Sequence, residues 1–586
     1  MSTRRHFRIA ALAAGLALCL APGAPAQEVP PAAAARALEP GPPLERTLAA
    51  GETHDYTVAL AAGDFLRVVV EQRGVDLVVE VFGPDGARLM SVDSPNGDQG
   101  PEEVAFQAPA AGAYRVHVRA FSETDAGAYT VRVAERLGAA EYASVLARER
   151  VRRDSVLAWL AASAMPLRSV TAGSGFEDLR PLREVLRDVR IVGLGEATHG
   201  SREFFQLKHR LLEFLVREMG FRVFAIEASR AAAENVINPW VLGGEGEVGP
   251  VLDSQGFWTW NTEEVRALLE WMRAYNRGVP PERRVRFRGI DIQVNRTGEA
   301  AVLAYLRRVA PARVAPAETL FAIRVDLLAQ TSGASGPLAA SAGARLKETV
   351  RGYEELLGYL ALNETRFAEL TSPAELAAVL GHARTLAQYA AAYSIPGTAT
   401  GESSGSAQRD RFMADNLRRL LDAEPPGTRV VLWAHNGHVQ AEPSDGMPTL
   451  GTHLRRWYGN GYYALGFAFA SGAFQARDAT PNATPPLVLR EFRLEAPQEG
   501  SVNGYFARAR PGDYLVDFRR APRPTAARAW LAAPGRMISI GSAFATTWPE
   551  SAIYQTVAPG RAFDGIAFIR ETTRARPNPT VSNVMR

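Results

Sequence analysis

The sequence predicts an α/β domain with a mostly parallel sheet and a large helical insertion, preceded by an all-β sandwich domain. Its 586 residues are too many for a single compact core. Short strand patterns with regularly spaced turns occupy residues 44–136. From residue 166 onward, apolar strands alternate with helical patterns, which is typical of a parallel sheet. A helical block rich in Ala and Leu, roughly 299–394, interrupts that alternation and predicts the insertion.

The first residues, 1–26, have the features of a signal peptide. An apolar run from Ile9 to Leu20 follows a positively charged start and precedes Ala24-Pro-Ala26, which resembles a cleavage site. The run is too short for a spanning helix, so we expect no stable membrane insertion and a secreted or periplasmic protein. Cleavage would remove Cys19, the only cysteine, and with it any disulfide or thiol nucleophile. Residues 27–43, rich in Ala and Pro, are predicted to be a flexible leader.

The strand-rich stretch 44–136 carries its own signals. Gly83-Pro-Asp-Gly86 has the composition of a hairpin turn. The segments Gly112-Ala-Tyr-Arg-Val-His-Val118 and Gly127-Ala-Tyr-Thr-Val-Arg-Val133 resemble strands of the bacterial pre-peptidase C-terminal type of domain. We consider a contact with a surface or a carbohydrate through this domain, although no ligand motif marks it. A linker helix is predicted over 137–165, where apolar residues recur at helical spacing.

The charge distribution gives no indication of nucleic-acid binding. The formal net charge is only +3, and the chain contains just two lysines, Lys208 and Lys347. Its basic pI of about 9.0 reflects frequent arginine rather than a basic patch. Since no long run of Lys or Arg occurs, the electrostatic surface that nucleic-acid binding requires is not predicted.

Four apolar strands of the second domain end in residues that can ionise. In a parallel sheet the carboxyl ends of the strands lie on one edge, so residues far apart in sequence can meet in one crevice. A single residue of this kind could equally cap a helix, whereas four strand ends favour a common site. The residues are Glu196 and His199 after the first strand, Glu227 after the second, Asp291 after the third, and His435 and His438 after the fourth.

Carboxylates and imidazoles together suit general acid and base chemistry, because histidine exchanges a proton near neutral pH. A carboxylate beside a histidine fixes its tautomer, and Glu196 is close enough in sequence to His199 for that task. A basic histidine could activate water for attack on a carbonyl, while the other imidazoles or a cation stabilise the oxyanion. The same residue types also suit a catalytic zinc site. Composition alone leaves both chemistries open.

A serine-hydrolase interpretation is disfavoured. Gly401-Glu-Ser403-Ser-Gly405 matches the G-x-S-x-G pattern, but a nucleophile elbow needs an apolar strand directly before it. Here Pro396 and Gly397 precede the motif and indicate a loop. We therefore do not expect Ser403 to be a nucleophile.

The strand-end residues lie in segments that together resemble the erythromycin esterase family over about residues 167–576. The combination of segments is specific, although each one alone is not. The segments are Gly195-Glu-Ala-Thr-His-Gly-Ser-Arg-Glu-Phe204, Phe221-Arg-Val-Phe-Ala-Ile-Glu-Ala228, Gly289-Ile-Asp291, Arg409-Asp-Arg-Phe-Met-Ala-Asp-Asn416, Trp433-Ala-His-Asn-Gly-His-Val439, Gly451-Thr-His-Leu454 and Phe563-Asp-Gly-Ile-Ala-Phe-Ile569.

The resemblance implies a catalytic domain over 166–577 and a short tail, 578–586. It implies hydrolysis of a carboxylic ester, best known as macrolide lactone opening, by a general-base histidine that activates water without a metal. The base is expected to be His199. The other residues expected to be catalytic are Glu196, Glu227, His435 and His438.

The substrate expected from this resemblance is a small ester or lactone. We expect substrate contacts from Lys208, Arg202, Asp291, Arg409 and Asn436. Lys208 marks a departure, because some macrolide-cleaving members carry arginine at this position, nine residues after the histidine. A lysine keeps the charge but lacks the planar fork of a guanidinium. No cofactor or metal is expected; the alternative is a metal-dependent hydrolase, or a metal- or haem-binding protein on a related fold.

Overall fold

The computed structural model describes residues 35–94, 96–293, 295–332, 337–397, 399–444, 446–483, 487–523 and 525–578. The predicted signal peptide, residues 27–34 of the leader and all but the first residue of the tail lie outside these ranges. Backbone contacts divide the chain into two units, with the boundary between Ser155 and Val156. In the ranges given above, no helix is both long and apolar enough to cross a membrane.

The N-terminal unit is built from nine strands in two sheets. One sheet has the order β1-β3-β8-β5-β6 and the other β2-β9-β4-β7. Inward-facing residues alternate with outward-facing ones, and the inward set forms one hydrophobic core between the sheets. The strands are β1 (Arg36–Ala37), β2 (Leu44–Leu48), β3 (Thr53–Leu60), β4 (Phe65–Arg73), β5 (Leu77–Phe82), β6 (Arg88–Val92), β7 (Gln99–Gln107), β8 (Gly112–Ala120) and β9 (Gly127–Leu137).

This unit has a strand earlier in the chain than the sequence predicts. Strand β1 lies inside the stretch expected to be a flexible leader, 27–43, and pairs in parallel with Tyr56 and Thr57 of β3. Leu38, just after it, is buried in the core of the unit. The burial of this one apolar side chain accounts for the difference, because composition alone marks the surrounding Ala and Pro as leader.

The C-terminal unit contains a large, mostly parallel sheet in the order β10-β17-β21-β15-β11-β14-β12-β13. The strands from β21 to β13 run parallel to their neighbours, while β10, β17 and β16 pair antiparallel. Strands β18 and β20 pair with each other in a separate antiparallel sheet. The strands of this unit are β10 (Ala164–Pro166), β11 (Ile191–Leu194), β12 (Val223–Ser229), β13 (Arg286–Asp291), β14 (Val430–Trp433), β15 (Tyr462–Asp478), β16 (Leu489–Leu494), β17 (Tyr514–Asp517), β18 (Gly535–Ile538), β19 (Ala543–Phe544), β20 (Tyr554–Val557) and β21 (Gly565–Thr572).

The helices occupy both faces of this sheet and the insertion. They are α1 (Ala139–Ser163), α2 (Leu182–Val185), α3 (Arg202–Met219), α4 (Arg230–Ala232), α5 (Asn238–Val241), α6 (Val248–Asp253), α7 (Glu263–Arg277), α8 (Arg296–Val309), α9 (Val314–Phe321), α10 (Val325–Ser332), α11 (Pro337–Leu362), α12 (Glu364–Leu370), α13 (Pro373–Tyr393), α14 (Gly405–Asp422), α15 (Asn436–Val439), α16 (Leu450–Tyr458), α17 (Val502–Ala509), α18 (Ala526–Ala532) and α19 (Pro559–Ala562).

The two faces of the sheet carry two separate hydrophobic cores because successive side chains of a strand point to opposite faces. On β14, Val430 and Leu432 pack into one core, while Val431 and Trp433 pack into the other. Helices α3 and α7 contribute to the second of these cores and α14 to the first. The predicted helical insertion comprises α8 to α13 and has a third core of its own.

Helix α1 crosses the boundary between the units. Its later residues Val156 and Leu160 are almost fully buried and belong to the core of the C-terminal unit. The short strand β10 follows directly and pairs with β17. The ordered C-terminal unit therefore begins before residue 166, where the sequence placed the start of its domain.

This arrangement predicts the outcome of a truncation. A fragment of residues 156–586 should fold cooperatively, because it keeps Val156, Leu160 and β10. A fragment starting at residue 167 should be less stable by about 3 kcal/mol or more, since two large apolar side chains leave the core. Urea denaturation followed by circular dichroism measures both. Equal midpoints for the two fragments would contradict this assignment of α1.

Candidate active site

The predicted strand-end residues lie at one edge of the sheet. Strands β11, β14, β12 and β13 are adjacent and parallel, so their carboxyl ends meet. The imidazole rings of His199 and His435 are 4.9 Å apart between centroids. His438 Nε2 lies 3.1 Å from Glu227 Oε1. The residues from these four strand ends therefore form one cluster, as the sequence predicted.

His199 lies on the turn between β11 and α3, where the backbone packs closely against β15. A side chain at Gly200 would collide with the backbone of Gln475, so the turn requires glycine there. Nδ1 of His199 donates to Oε1 of Glu196 at 2.6 Å. The carboxylate only accepts, so Nδ1 carries a proton, and in the neutral imidazole the lone pair is on Nε2. Among the residues that the structure describes, none forms a hydrogen bond with Nε2.

Glu196 is fully buried and its second oxygen is also bonded. Oε2 accepts hydrogen bonds from Lys208 Nζ at 2.6 Å and from Trp433 Nε1 at 2.8 Å. The Lys208 ammonium lies 4.3 Å from the centre of the Trp433 ring. These contacts hold the carboxylate in one orientation behind His199.

Both members of the Glu196–Lys208 pair are ionised in a buried setting. Burial alone would raise the pKa of the Glu196 carboxyl, but the Lys208 charge and the hydrogen bond from His199 outweigh it and lower that pKa. Burial lowers the pKa of Lys208 to about 8, against the opposing charge of Glu196. Lys208 is completely inaccessible to solvent. The sequence predicted that Lys208 contacts the substrate. In the structure its ammonium is enclosed and bonds Glu196 instead.

A second group of charges surrounds Arg409 of α14. Its Nε and Nη2 donate to the two oxygens of Asp291 at 2.9 and 2.8 Å. Nη2 also donates to Glu227 Oε1 at 2.7 Å, and Glu227 Oε2 accepts from the backbone N–H of His435 at 3.0 Å. Asp291 is fully buried, so it orients Arg409 rather than contacting a substrate as the sequence suggested.

These contacts determine the charge states of the group. Burial alone would raise the pKa of the Glu227 carboxyl, but the positive charges of His438 and Arg409 hold it well below its usual value. Burial opposes the charged form of Arg409, yet Asp291 and Glu227 raise its pKa well above the ordinary range. A carboxylate and a guanidinium thus remain charged in a largely dehydrated site.

His438 is held between two carboxylates. Its Nδ1 donates to Asp410 Oδ1 at 2.8 Å, and its Nε2 lies 3.1 Å from Glu227 Oε1. Burial alone would lower the pKa of His438, but Asp410 and Glu227 raise it to about 10. Nη1 of Arg409 also lies 3.0 Å from Nε2. Asp410 and Glu227 therefore favour the imidazolium form of His438.

His435 has the opposite character. Its Nε2 donates to the carbonyl oxygen of Ile540 at 3.1 Å, and its Nδ1 accepts from the N–H of Gly437 at 3.2 Å. Burial, reinforced by the nearby His199, lowers its pKa to about 3. Both ring nitrogens are engaged, so in this structure His435 is a neutral group that shapes the turn and packs on His199.

Two residues expected to contact the substrate have side-chain partners elsewhere in the protein. Nε of Arg202, at the start of α3, lies 3.2 Å from Oε1 of Glu264 in an ion pair. Asn436 is fully buried, and its side-chain amide pairs with both the N–H and the carbonyl of Phe467. Asn436 thereby ties the turn after β14 to β15, and its amide is not available to a ligand.

Sequence reasoning overlooked three members of the site. Trp433 binds Glu196, Asp410 binds His438, and Trp260 packs edge-on against His199 with 5.9 Å between ring centroids. Trp433 ends a strand and Asp410 adjoins Arg409, so their places in the chain were available signals. Ser403 lies exposed on a short turn, Gly401–Ser403, in keeping with its expected lack of a catalytic role.

The carboxylate oxygens that could bind a metal already have partners within the protein. Each of Glu196 and Glu227 has both oxygens bonded to nitrogen. Within the described ranges, no group of three His, Cys, Asp or Glu residues has an arrangement that could hold a metal ion.

The buried pair at Glu196 gives a testable consequence for stability. Lys208→Met preserves much of the side-chain volume but leaves the Glu196 carboxylate buried without a cation. Removing one partner of a buried ion pair costs about 3–5 kcal/mol in the free energy of unfolding. The matched control is Lys347→Met on α11, an exposed lysine whose loss should change stability by less than about 0.5 kcal/mol. Urea unfolding of both variants measures the difference, and similar midpoints would refute this account of Lys208.

Each of the two units matches a family of known proteins. Residues 216–572 match the family model described as erythromycin esterase, and residues 52–120 match the bacterial pre-peptidase C-terminal domain. The first match includes Glu227, Asp291, Arg409 and the two histidines after β14, while Glu196, His199 and Lys208 lie upstream of it.

Relatives and solved structures agree with these matches. The chain is 26% identical over 442 residues to erythromycin esterase type II of Escherichia coli, covering 71% of this chain and 97% of the relative. It is 23% identical to a putative hydrolase of Bacillus subtilis, and the match covers 61% of this chain and 80% of the relative. A Bacillus cereus protein of known structure has a TM-score of 0.60 at 22% identity, covering 73% and 99%. An erythromycin esterase mutant in its open conformation has a TM-score of 0.52 at 18% sequence identity, and the match covers 70% of this chain and 96% of that structure. Because the family model spans more than half of the chain, this protein belongs to the erythromycin esterase family and carries an N-terminal pre-peptidase C-terminal domain.

Proposed function

We propose that this protein is a hydrolase that cleaves a carboxylic ester or a macrolide lactone, with His199 as the general base. One observation carries the proposal. The buried Glu196 carboxylate binds Nδ1 of His199 at 2.6 Å, which leaves Nε2 with a lone pair that can accept a proton from water. Glu196 itself is held by Lys208 and Trp433, so the tautomer of His199 is maintained.

The reaction would proceed in two steps. A water molecule transfers a proton to Nε2 of His199 as its oxygen attacks the carbonyl carbon, and negative charge develops on the carbonyl oxygen. Arg409 and His438 supply positive charge in a buried site, and that charge would stabilise such an oxyanion. The C–O bond of the ester then breaks, and the imidazolium of His199 returns its proton to the leaving alkoxide.

The family supports the reaction class more strongly than the substrate. Relatives of this chain are named erythromycin esterase and putative hydrolase, and the identities are 26% and 23%. We propose a macrolide lactone as the first substrate to test, which would make the protein an antibiotic-resistance enzyme. Other carboxylic esters are the alternative substrates for the same machinery.

We also propose that the protein is secreted or periplasmic. The support is the sequence of residues 1–26, with its charged start, apolar run and Ala-Pro-Ala cleavage site. The N-terminal domain would then act outside the cytoplasm, with a carbohydrate or surface as its partner. Phe121, which is 61% exposed on that domain, is an aromatic side chain available for such a contact.

The experiment that tests the function is a hydrolysis screen. Macrolides, simple lactones and aryl or alkyl esters are offered to the mature protein and to His199→Ala. The variant should lose about a hundredfold to ten-thousandfold in kcat, the usual scale of general-base catalysis. Glu196 keeps its bonds from Lys208 and Trp433, so the fold should persist, as circular dichroism would verify.

The matched control for this screen is His117→Ala, which removes an imidazole that pairs with Asp55 in the N-terminal unit. It should leave kcat unchanged. Full activity in His199→Ala would reject the proposed base.

The metal-dependent alternative predicts a different response to chelation. If the base is His199 alone, overnight treatment with a strong chelator should leave kcat unchanged, and elemental analysis should find no stoichiometric metal in active protein. Loss of activity that is restored by one added metal would favour the metallohydrolase. In that case His199→Ala, Glu227→Gln and His435→Ala should each abolish metal binding.

A further inference from the structure

Asp410 is a buried carboxylate that the mechanism above does not use. It lies on α14 directly after Arg409 and is only 6% exposed. Its Oδ1 accepts hydrogen bonds from Nδ1 of His438 at 2.8 Å and from the backbone N–H of Leu450 at 2.7 Å. Leu450 is the first residue of α16, so Asp410 joins three elements at one point.

The bond to Nδ1 determines where the other ring nitrogen points. An imidazole has two nitrogens on opposite sides, so anchoring Nδ1 at Asp410 directs Nε2 away from α16 and toward the cluster. Nε2 there lies 3.1 Å from Glu227 Oε1 and 3.0 Å from Arg409 Nη1. One turn of α14 thus carries both the guanidinium of the site and the carboxylate that orients its imidazolium.

We propose that Asp410 is a positioning residue of the reaction, which anchors Nδ1 of the His438 imidazole and so keeps the positive charge of that ring beside Glu227 and Arg409, close to the developing oxyanion. This inference rests on the proposed function, in which Arg409 and His438 stabilise that charge. The arrangement is the counterpart of the pair formed by Glu196 and His199. Glu196 binds Nδ1 of His199, whereas Asp410 binds Nδ1 of His438 and favours the charged form of that ring.

The charges around His438 agree with this role. Asp410 and Arg409 face it from α14, Glu227 from the end of β12 and His435 from its own turn. Burial lowers the pKa of His438, and Asp410 is the largest of the influences that raise it to about 10. Removing the charge of Asp410 should therefore lower that pKa and decrease the fraction of imidazolium. His453 of α16 also lies within the field of Asp410, and burial lowers its pKa.

A purely structural role is the competing explanation, because Asp410 also binds the first N–H of α16. The two roles make different predictions for Asp410→Asn. The amide still accepts from Leu450 and His438, so α16 should remain in place while the negative charge is lost. Positioning predicts a change in the state of His438 and in kcat, whereas a structural role predicts a change in stability alone.

The experiment uses the full-length protein with the best substrate of the screen. Asp410→Asn should lower kcat about ten- to a hundredfold with little change in KM. The matched control is Asp415→Asn on the same helix, a carboxylate that pairs with Arg418 and should not alter kcat. In the background of His438→Gln, Asp410→Asn should cause no further loss, because the residue through which it acts is gone.

A second measurement reports on His438 directly and does not require a stable Asp410→Asn variant. NMR of protein with labelled histidine, with the signal assigned by its absence in His438→Gln, should show Nδ1 protonated and titration well above the ordinary histidine range. A His438 that titrates at or below that range overturns the proposal, as does an Asp410→Asn variant with a lower Tm but unchanged kcat. If His199→Ala is fully active, the proposed function fails instead, whatever the result at Asp410.

Discussion

The site depends on a carboxylate that is buried without contact with water. Glu196 is fully enclosed, and an ionised carboxylate in that position is stable only if its oxygens are bonded and its charge is balanced. Lys208 supplies the charge, Trp433 a neutral N–H and His199 the remaining bond. The constraint works in both directions, because the groups that stabilise Glu196 also prevent it from turning. A rigid carboxylate is what maintains one tautomer of His199.

The group of charges around Arg409 is also buried, and its carboxylates are bonded at both oxygens. Glu227 is bonded at both oxygens, and Asp291 binds Arg409 through both of its own. The surplus of carboxylates around His438 favours its charged form, whereas His435, bonded to a backbone carbonyl, remains neutral. Histidines close together in one site thus acquire different charge states from their hydrogen-bond partners, not from their position in the sequence.

Much of the architecture could be predicted because it follows from local patterns. Apolar runs identified the four strands that carry the site, and the length of the Ala- and Leu-rich block identified the insertion, observed as α8 to α13. The prediction that four strand ends converge needed only the general geometry of a parallel sheet. The sequence did not predict the strands β1, which precedes Leu38, and β10. Each of them pairs with a strand elsewhere in the chain, β1 with β3 and β10 with β17, and no local pattern indicates that pairing.

The sequence by itself determined the residue types, the strand ends that carry them and the family to which they point. Only the tertiary structure decided which way each side chain faces. Lys208 and Asp291 were expected to contact a substrate, yet both are enclosed and orient another residue. The physical reason is that a charged side chain in the unfolded chain is hydrated and needs no particular partner, whereas one that folding buries must be paired with a group of the protein. Burial then leaves only those arrangements in which every charge is met by a neighbour.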